Sequence, residues 1–161
     1  MGPRFYLCGA DLGRHGLSGD ASFEILARHV SPDGRLTWRV ERYREADGVN
    51  GYAAGFEDSF WHIHPDQLQR AGEDEEKLRG LTADLLADRL VVVVEVWTPP
   101  GTEAEDQNIR ILGDLETEID FKSNDEKWQL RFWSGAAVEI DDLIDGKVAF
   151  LPLDQKLLVD D

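Results

Sequence analysis

The residues with the clearest chemical potential are two histidines that stand two positions apart, His62 and His64. Alternate side chains of an extended strand point to the same side, which brings two imidazoles close enough to bind one metal ion. Glu57, Asp58 and Asp66 lie nearby in the sequence and offer a carboxylate as a further ligand. A small metal- or ligand-dependent enzyme that uses this pair is therefore one functional hypothesis.

The spacing of the neighbouring residues argues against a metal at this pair. Two histidines without a third ligand at a recognisable distance are a weak metal signature, and the nearest glutamate downstream is Glu73. Pro65 favours the first position of a helix, so His64 is also explained as a residue at a helix start. The sequence therefore predicts no metal and no cofactor, and it keeps His62 and His64 as the alternative metal ligands.

Other catalytic motifs are missing from the sequence. The glycine-rich stretch of residues 9–20 lacks both the Gly-Lys-Ser/Thr ending of a P-loop and the Gly-x-Gly-x-x-Gly order of a dinucleotide-binding turn. Cys8 has His15 seven positions away, but it lies in surroundings typical of a small buried hydrophobe. These absences favour a protein that binds over a protein that catalyses.

Negative charge is the strongest functional signal in the sequence. The 161 residues hold 33 acidic and 17 basic side chains, for a formal net charge of −16, and residues 81–161 alone hold 19 acidic and 7 basic side chains. Such a field repels nucleic acid phosphates and anionic membranes, and it attracts cationic proteins. The charge is also explained as a solubility feature, and both explanations stay open.

Cysteine use and apolar run length predict a cytoplasmic protein without a membrane span. The longest unbroken apolar run, residues 90–94, is far shorter than the roughly 20 residues that cross a bilayer. A single cysteine excludes an internal disulfide and suits a reducing compartment.

The acidic half of the chain also carries a tryptophan in polar surroundings, Trp133. In an alternating strand it falls on the polar face and is suited to anchor a partner, whereas burial against a neighbouring element is the alternative. The sequence thus predicts a small acidic binding protein that neutralises a cationic protein partner. Such a protein is an immunity- or antitoxin-type inhibitor of a bacterial toxin, such as a nuclease, or a nucleic-acid mimic. The predicted contact residues are Glu116, Glu118, Asp120, Arg131, Trp133, Asp141, Asp142 and Asp145.

The first part of the chain reads as strands joined by a tight turn. Residues 4–10 form a short apolar segment, and residues 22–30 and 35–44 alternate between apolar and polar side chains. Between the last two segments, Pro32 and Gly34 are typical of a hairpin turn. The sequence therefore predicts an antiparallel hairpin at this point.

The middle of the chain changes from glycine-rich to strongly patterned. Three glycines predict a loop over residues 46–56. Leucines at helical spacing follow a cluster of acids and predict a helix over residues 73–90. The valine-rich run of residues 91–97 predicts a central strand covered by that helix.

The remaining residues predict more strands and complete the fold class. Alternation over residues 117–121 and 128–132 indicates a second hairpin, and further short strands are expected near residues 136–140 and 147–151. The prediction is a single α+β domain over residues 1–161. It consists of a mostly antiparallel twisted sheet of about six to seven strands, with the main helix and a short helix at about residues 65–71 packed on it.

Overall fold

The computed structural model describes residues 23–44, 48, 50–122 and 125–153, and its strands form two antiparallel sheets. The predicted α+β class with antiparallel pairing is confirmed, but the strands are divided over two sheets of four strands each. The strand predicted over residues 4–10 and the glycine-rich stretch of residues 9–20 lie outside the described residues.

The first sheet begins with the predicted hairpin. Its strands, in both chain and spatial order, are β1 (Phe23–Val30), β2 (Thr37–Arg44), β3 (Asn50–Phe56) and β4 (His62–Ile63). In the turn between β1 and β2, Asp33 Oδ1 accepts a hydrogen bond from Ser31 Oγ at 2.7 Å, and Gly34 has a φ of 75°. Only glycine adopts this left-handed conformation at little cost, so the turn sequence determines the hairpin.

Strand β3 occupies residues that the sequence predicts to be a loop. It pairs with β2 at seven consecutive positions. Gly51 and Gly55 lie where side chains or backbone of the neighbouring strands approach β3 closely, which is a common reason for glycine within a strand. The loop prediction is therefore wrong for residues 50–56.

The main helix, α1 (Asp74–Leu86), packs on the inner face of the first sheet. Its fully buried side chains, which recur at helical spacing, are Leu78, Leu81 and Leu85. Trp38 of β2 donates its Nε1–H to Thr82 Oγ1 at 2.9 Å and so fixes the helix against the sheet. The predicted main helix is confirmed, whereas residues 65–71 contain only a 3-10 turn, Pro65–Gln67.

The second sheet is built around the valine-rich run. Its strands are β5 (Val92–Trp97), β6 (Asp106–Ile111), β7 (Lys127–Arg131) and β8 (Ala137–Val138), and their spatial order is β6-β5-β7-β8. The prediction of a central strand is confirmed, because β5 lies between β6 and β7. Val92 faces the apolar cluster that also holds Trp38, and Val93 faces a second cluster on the opposite side.

Two short helices, α2 (Leu115–Phe121) and α3 (Ile140–Ile144), cover the second cluster. Helix α2 contradicts the predicted second hairpin. Asp114 caps it by accepting hydrogen bonds from the N and Oγ1 atoms of Thr117, at 3.1 and 2.8 Å. Over so few residues the alternating pattern also fits a helix, and the cap decides between the two.

Three smaller differences complete the comparison with the sequence. The sequence predicts an acidic loop over residues 102–108, but residues 106–108 belong to β6, and residues 147–151 form no strand. Residues 136–140 contain the short strand β8 and the first residue of α3. Within the described ranges, every helix is too short or too polar to cross a membrane.

Candidate functional site

The outer face of the first sheet carries the two histidines. His62 lies on β4 opposite Gly55, and His64 follows on the same side. Their Nε2 atoms are 3.2 Å apart, and the two rings stand nearly perpendicular with centroids 4.9 Å apart. The extended backbone therefore brings the two imidazoles together.

Contacts on the far side of its ring fix the orientation of His64. Its Nδ1 lies 2.9 Å from the carbonyl oxygen of Tyr52 and 3.2 Å from the hydroxyl of Tyr43. Because a carbonyl oxygen only accepts, the contact with Tyr52 assigns a proton to Nδ1, and the Nε2 side of the ring faces His62. The backbone N–H of His64 donates to Gln67 Oε1 at 2.8 Å, so the residue is held from both sides.

Two glycines of β3 make room for this arrangement. A Cβ at Gly51 would stand 2.5 Å from the ring of Tyr43, and a Cβ at Gly55 would stand 3.0 Å from the Cβ of His62. Tyr43 can therefore cross β3 to reach His64, and β4 can pack closely beside β3.

The second sheet holds the segment that leads into β4. Ser59 Oγ lies 2.7 Å from Asn108 Oδ1 and accepts a hydrogen bond from the backbone N–H of Ile109 at 2.9 Å. The same Asn108 oxygen accepts from the backbone N–H of Trp61 at 3.1 Å. Strand β6 thus anchors the entry to the histidine pair.

Glu41 is a buried acid on the same outer face, in the middle of β2 and 1% exposed. Arg39 is in ion-pair contact with it, and no other donor reaches either carboxylate oxygen among the described residues. Burial raises the pKa of the Glu41 carboxyl; the nearby Arg39 opposes this rise, and the negative charge of Glu57 adds to it. Buried acids whose pKa is raised in this way are frequent at functional sites. We call Arg39, Glu41, Tyr43, His62 and His64 the polar face.

The three carboxylates proposed from the sequence as metal ligands have other surroundings. Glu57 accepts two hydrogen bonds from Arg28, at 2.7 and 3.2 Å, which hold the pKa of its carboxyl below the ordinary value. Asp58 and Asp66 are exposed. In the part of the chain that the structure describes, no three His, Cys, Asp or Glu side chains form a metal-binding group.

A second region gathers acids on helices α2 and α3, which cover the same apolar cluster. Five acids belong to this region: four are exposed, and the fifth, Asp142, is half-buried. None of the five has an ion pair within the described residues. We call this set the acidic surface: Glu116 and Asp120 of α2, Asp141 and Asp142 of α3, and Asp145 directly after α3.

Glu118 and Arg131, two other predicted contact residues, are engaged inside the protein. Arg110 bridges Glu118 and Glu95, and its Nε donates to Glu95 Oε1 at 2.6 Å. Although burial acts to lower the pKa of Arg110, the two carboxylates raise it above its ordinary value. Arg131 donates to both oxygens of Asp33, at 2.7 and 3.1 Å.

Trp133 is buried, with 4% of its surface exposed, and it belongs to the apolar cluster between the two sheets. The prediction of an exposed anchor on a polar strand face is wrong, because β7 ends at Arg131 and the alternation of the strand does not continue to Trp133. The alternative interpretation, burial against neighbouring elements, is the one that the structure has.

The buried charged residues Glu41, Glu95 and Arg110 do not appear among the sequence-predicted sites. A signal for Glu95 exists, because a single acid interrupts a run of valines that is otherwise too apolar for an exposed strand. Glu41 has no comparable signal, since it lies on the face of β2 that the alternating pattern assigns to solvent.

The chain has no significant match among protein-family models, curated proteins or solved structures. The functional argument therefore rests on the two regions themselves. The polar face combines two imidazoles, a phenol and a buried carboxyl, whereas the acidic surface offers mostly exposed carboxylates that pair with none of the neighbouring arginines.

Proposed function

We propose that this protein is a small acidic binding protein that neutralises a cationic protein partner, as an immunity- or antitoxin-type inhibitor of a bacterial toxin does. A nuclease is a suitable toxin, because carboxylates can stand where such an enzyme holds phosphates. A nucleic-acid mimic that blocks another nucleic-acid enzyme uses the same chemistry.

The observation that supports this proposal is the missing compensation of the acidic surface. All three arginines of residues 81–153 that the structure describes are used in internal ion pairs, namely Arg89, Arg110 and Arg131. These arginines therefore do not compensate the five carboxylates of the acidic surface; the other cations of this range are Lys122, Lys127 and Lys147. Exposed charges of one sign raise the rate at which an oppositely charged protein associates, and screening limits their reach to about 8 Å at physiological ionic strength.

The test takes the most basic protein that is encoded beside the gene for this chain. That protein is expressed alone and together with this chain, and its toxicity to the host cells is measured in both cases. If that protein is a toxin, the wild-type chain should suppress its toxicity. Reversing two charges of the acidic surface, D141K with D142K, should slow association by about tenfold or more at low salt, and the loss should shrink as salt is added. Stopped-flow mixing at several salt concentrations measures both effects.

The matched control reverses two acids at the start of α1, E73K with D74K. Both pairs lie at the first turn of a helix, so the two variants change the net charge and the helix termini equally. The control should associate nearly as fast as the wild type. Equal losses in both variants would show that only the net charge matters, and binding that is insensitive to both would remove the acidic surface from the interface.

A small metal- or ligand-dependent enzyme is the second candidate function. It is favoured by the arrangement of the polar face, where His62 and His64 face each other on the same side of the sheet as the buried Glu41. Perturbed acids beside imidazoles are typical of acid–base chemistry. An enzymatic activity of the wild type that disappears in the variant E41Q, while binding of the toxin is unchanged, would favour the enzyme hypothesis.

A further inference from the structure

The separation of the two histidine nitrogens fits a metal ion as well as a hydrogen bond. Zinc–nitrogen bonds of about 2.0–2.1 Å at the tetrahedral angle place two ligand nitrogens about 3.3 Å apart. The Nε2 atoms of His62 and His64 are 3.2 Å apart. An ion beside the line that joins the two nitrogens can therefore bind both of them without a large change in their separation.

The outer contacts of His64 are those that metal-binding histidines have. Such residues usually donate the second ring N–H to a backbone carbonyl or a carboxylate, which fixes the tautomer and aims the other nitrogen at the metal. His64 does this through Nδ1 and the carbonyl of Tyr52, at 2.9 Å. The ligand lone pair is thus already oriented before an ion arrives.

Access and charge also suit a cation at this place. Both histidines are half-buried, and the short distance between their Nε2 atoms keeps the two rings together. The formal net charge of −16 raises the local concentration of cations, and the buried carboxyl of Glu41 lies on the same face.

We infer that His62 and His64 form a two-ligand site for a borderline divalent transition metal such as Zn²⁺, Ni²⁺ or Cu²⁺. Imidazole prefers these ions, whereas Mg²⁺ and Ca²⁺ prefer oxygen ligands. Water completes the coordination, since no third protein ligand joins the pair among the described residues. The open positions can accept a substrate or a donor from another protein. This site is independent of the proposed partner binding.

The experiment titrates Ni²⁺ and Zn²⁺ into the chelator-treated full chain by calorimetry, with millimolar Mg²⁺ present throughout to occupy the acidic surface. One ion per chain is expected to bind. Loss of either imidazole, in H62A or H64A, should weaken metal binding by more than about tenfold. Removing only a hydrogen-bond partner of a metal ligand already weakens binding by about tenfold or more, and loss of the ligand itself should cost at least as much. Residual binding in the double variant should be negligible up to about 1 mM metal.

The variant H29A is the matched control, because His29 is a described histidine on β1, away from the pair. It should bind metal like the wild type. Should H64A fail to fold, H62A still keeps the contact between His64 and Tyr52. In the wild type, Cu²⁺ below one equivalent should broaden the imidazole signals of His62 and His64 before those of His29. The inference is overturned if no stoichiometric ion binds, if H62A binds normally, or if His29 broadens first.

Discussion

Glu41 and Glu95 occupy equivalent places in the two sheets. Each lies on the second strand of its sheet in spatial order, each is at most 5% exposed, and each points away from the cluster between the sheets. Glu95 accepts hydrogen bonds from Arg110 Nε at 2.6 Å and from Asn108 Nδ2 at 3.3 Å. Glu41 has Arg39 in ion-pair contact and no second donor to either oxygen among the described residues.

The difference shows that the donors around a buried acid, and not its burial, indicate its role. Glu95 is a structural ion that ties β5 to Arg110 of β6, and the same arginine reaches Glu118 of α2. Glu41 is a carboxyl whose ionisation the fold opposes, on the same face as two imidazoles. Because its pKa is raised in the folded protein, ionised Glu41 reduces stability and is better explained by function.

The largest effect is expected when the structural pair is broken. Replacing Arg110 by methionine leaves Glu95 and Glu118 without their cation and should lower the free energy of unfolding by about 3–5 kcal/mol. Urea denaturation measures this loss. The control R89M removes an arginine whose side chain is 63% exposed and should cost less than about 1 kcal/mol. Similar losses in the two variants would contradict a structural role for the Arg110 pair.

Replacing Glu41 by glutamine should raise the free energy of unfolding, by less than the loss expected for Arg110. The folded-state pKa of Glu41 is raised above its ordinary value of 4.5, so the folded protein binds more protons than the unfolded chain as pH rises above that value. Stability is then lost with rising pH in the wild type, and this loss is absent in E41Q. The variant should be more stable by about 1 kcal/mol at pH 7 and equal to the wild type below pH 4.5.

The same change at Glu95 is the matched control for E41Q. The variant E95Q weakens the contact with Arg110 and should reduce stability at pH 7 by about 1–3 kcal/mol. Urea denaturation of both variants at several pH values separates the two acids. If E41Q and E95Q destabilise the protein equally, the contrast between the two glutamates disappears.

The smallest effect is expected at an exposed acid, Asp33. The guanidinium of Arg131 and, to a smaller extent, the hydroxyl of Ser31 hold the pKa of Asp33 well below its ordinary value of 3.8. A lowered acid pKa contributes stability above that ordinary value and loses it as the pH falls further. The variant D33N should therefore be slightly less stable than the wild type at pH 7, and the gap should close in acid. Thermal unfolding between pH 2 and 7 tests this; a gap that widens in acid would contradict it.

The elements with strong local signals could be predicted from the sequence. The turn with Pro32 and Gly34 and the leucine stripe of α1 are encoded by adjacent residues. Helix α2 depends on its cap, Asp114, which accepts hydrogen bonds from Thr117. The periodicity of apolar residues does not reveal this cap. The division into two sheets also depends on contacts distant in sequence, such as the pairing of β5 with β7.

The candidate site could be predicted only in part. The histidine spacing places His62 and His64 on one side of a strand, and the structure brings them together. The neighbours of the pair could not be found in this way, because Gly51 and Gly55 are turn signals in sequence and packing residues in the fold. Glu41 looks like a solvent-facing residue until the strands around it are assembled.

The ion pair between Asp33 and Arg131 joins positions 98 residues apart, and this separation has a consequence for synthesis. A ribosome adds about 5–20 residues per second, so the hairpin turn waits for its arginine for about 5–20 seconds. By the end of that interval the residues of β1 to β4 and of α1 have all been added, and Arg131 is the last residue of β7. Until then the hairpin turn lacks the ion pair that joins it to the second sheet.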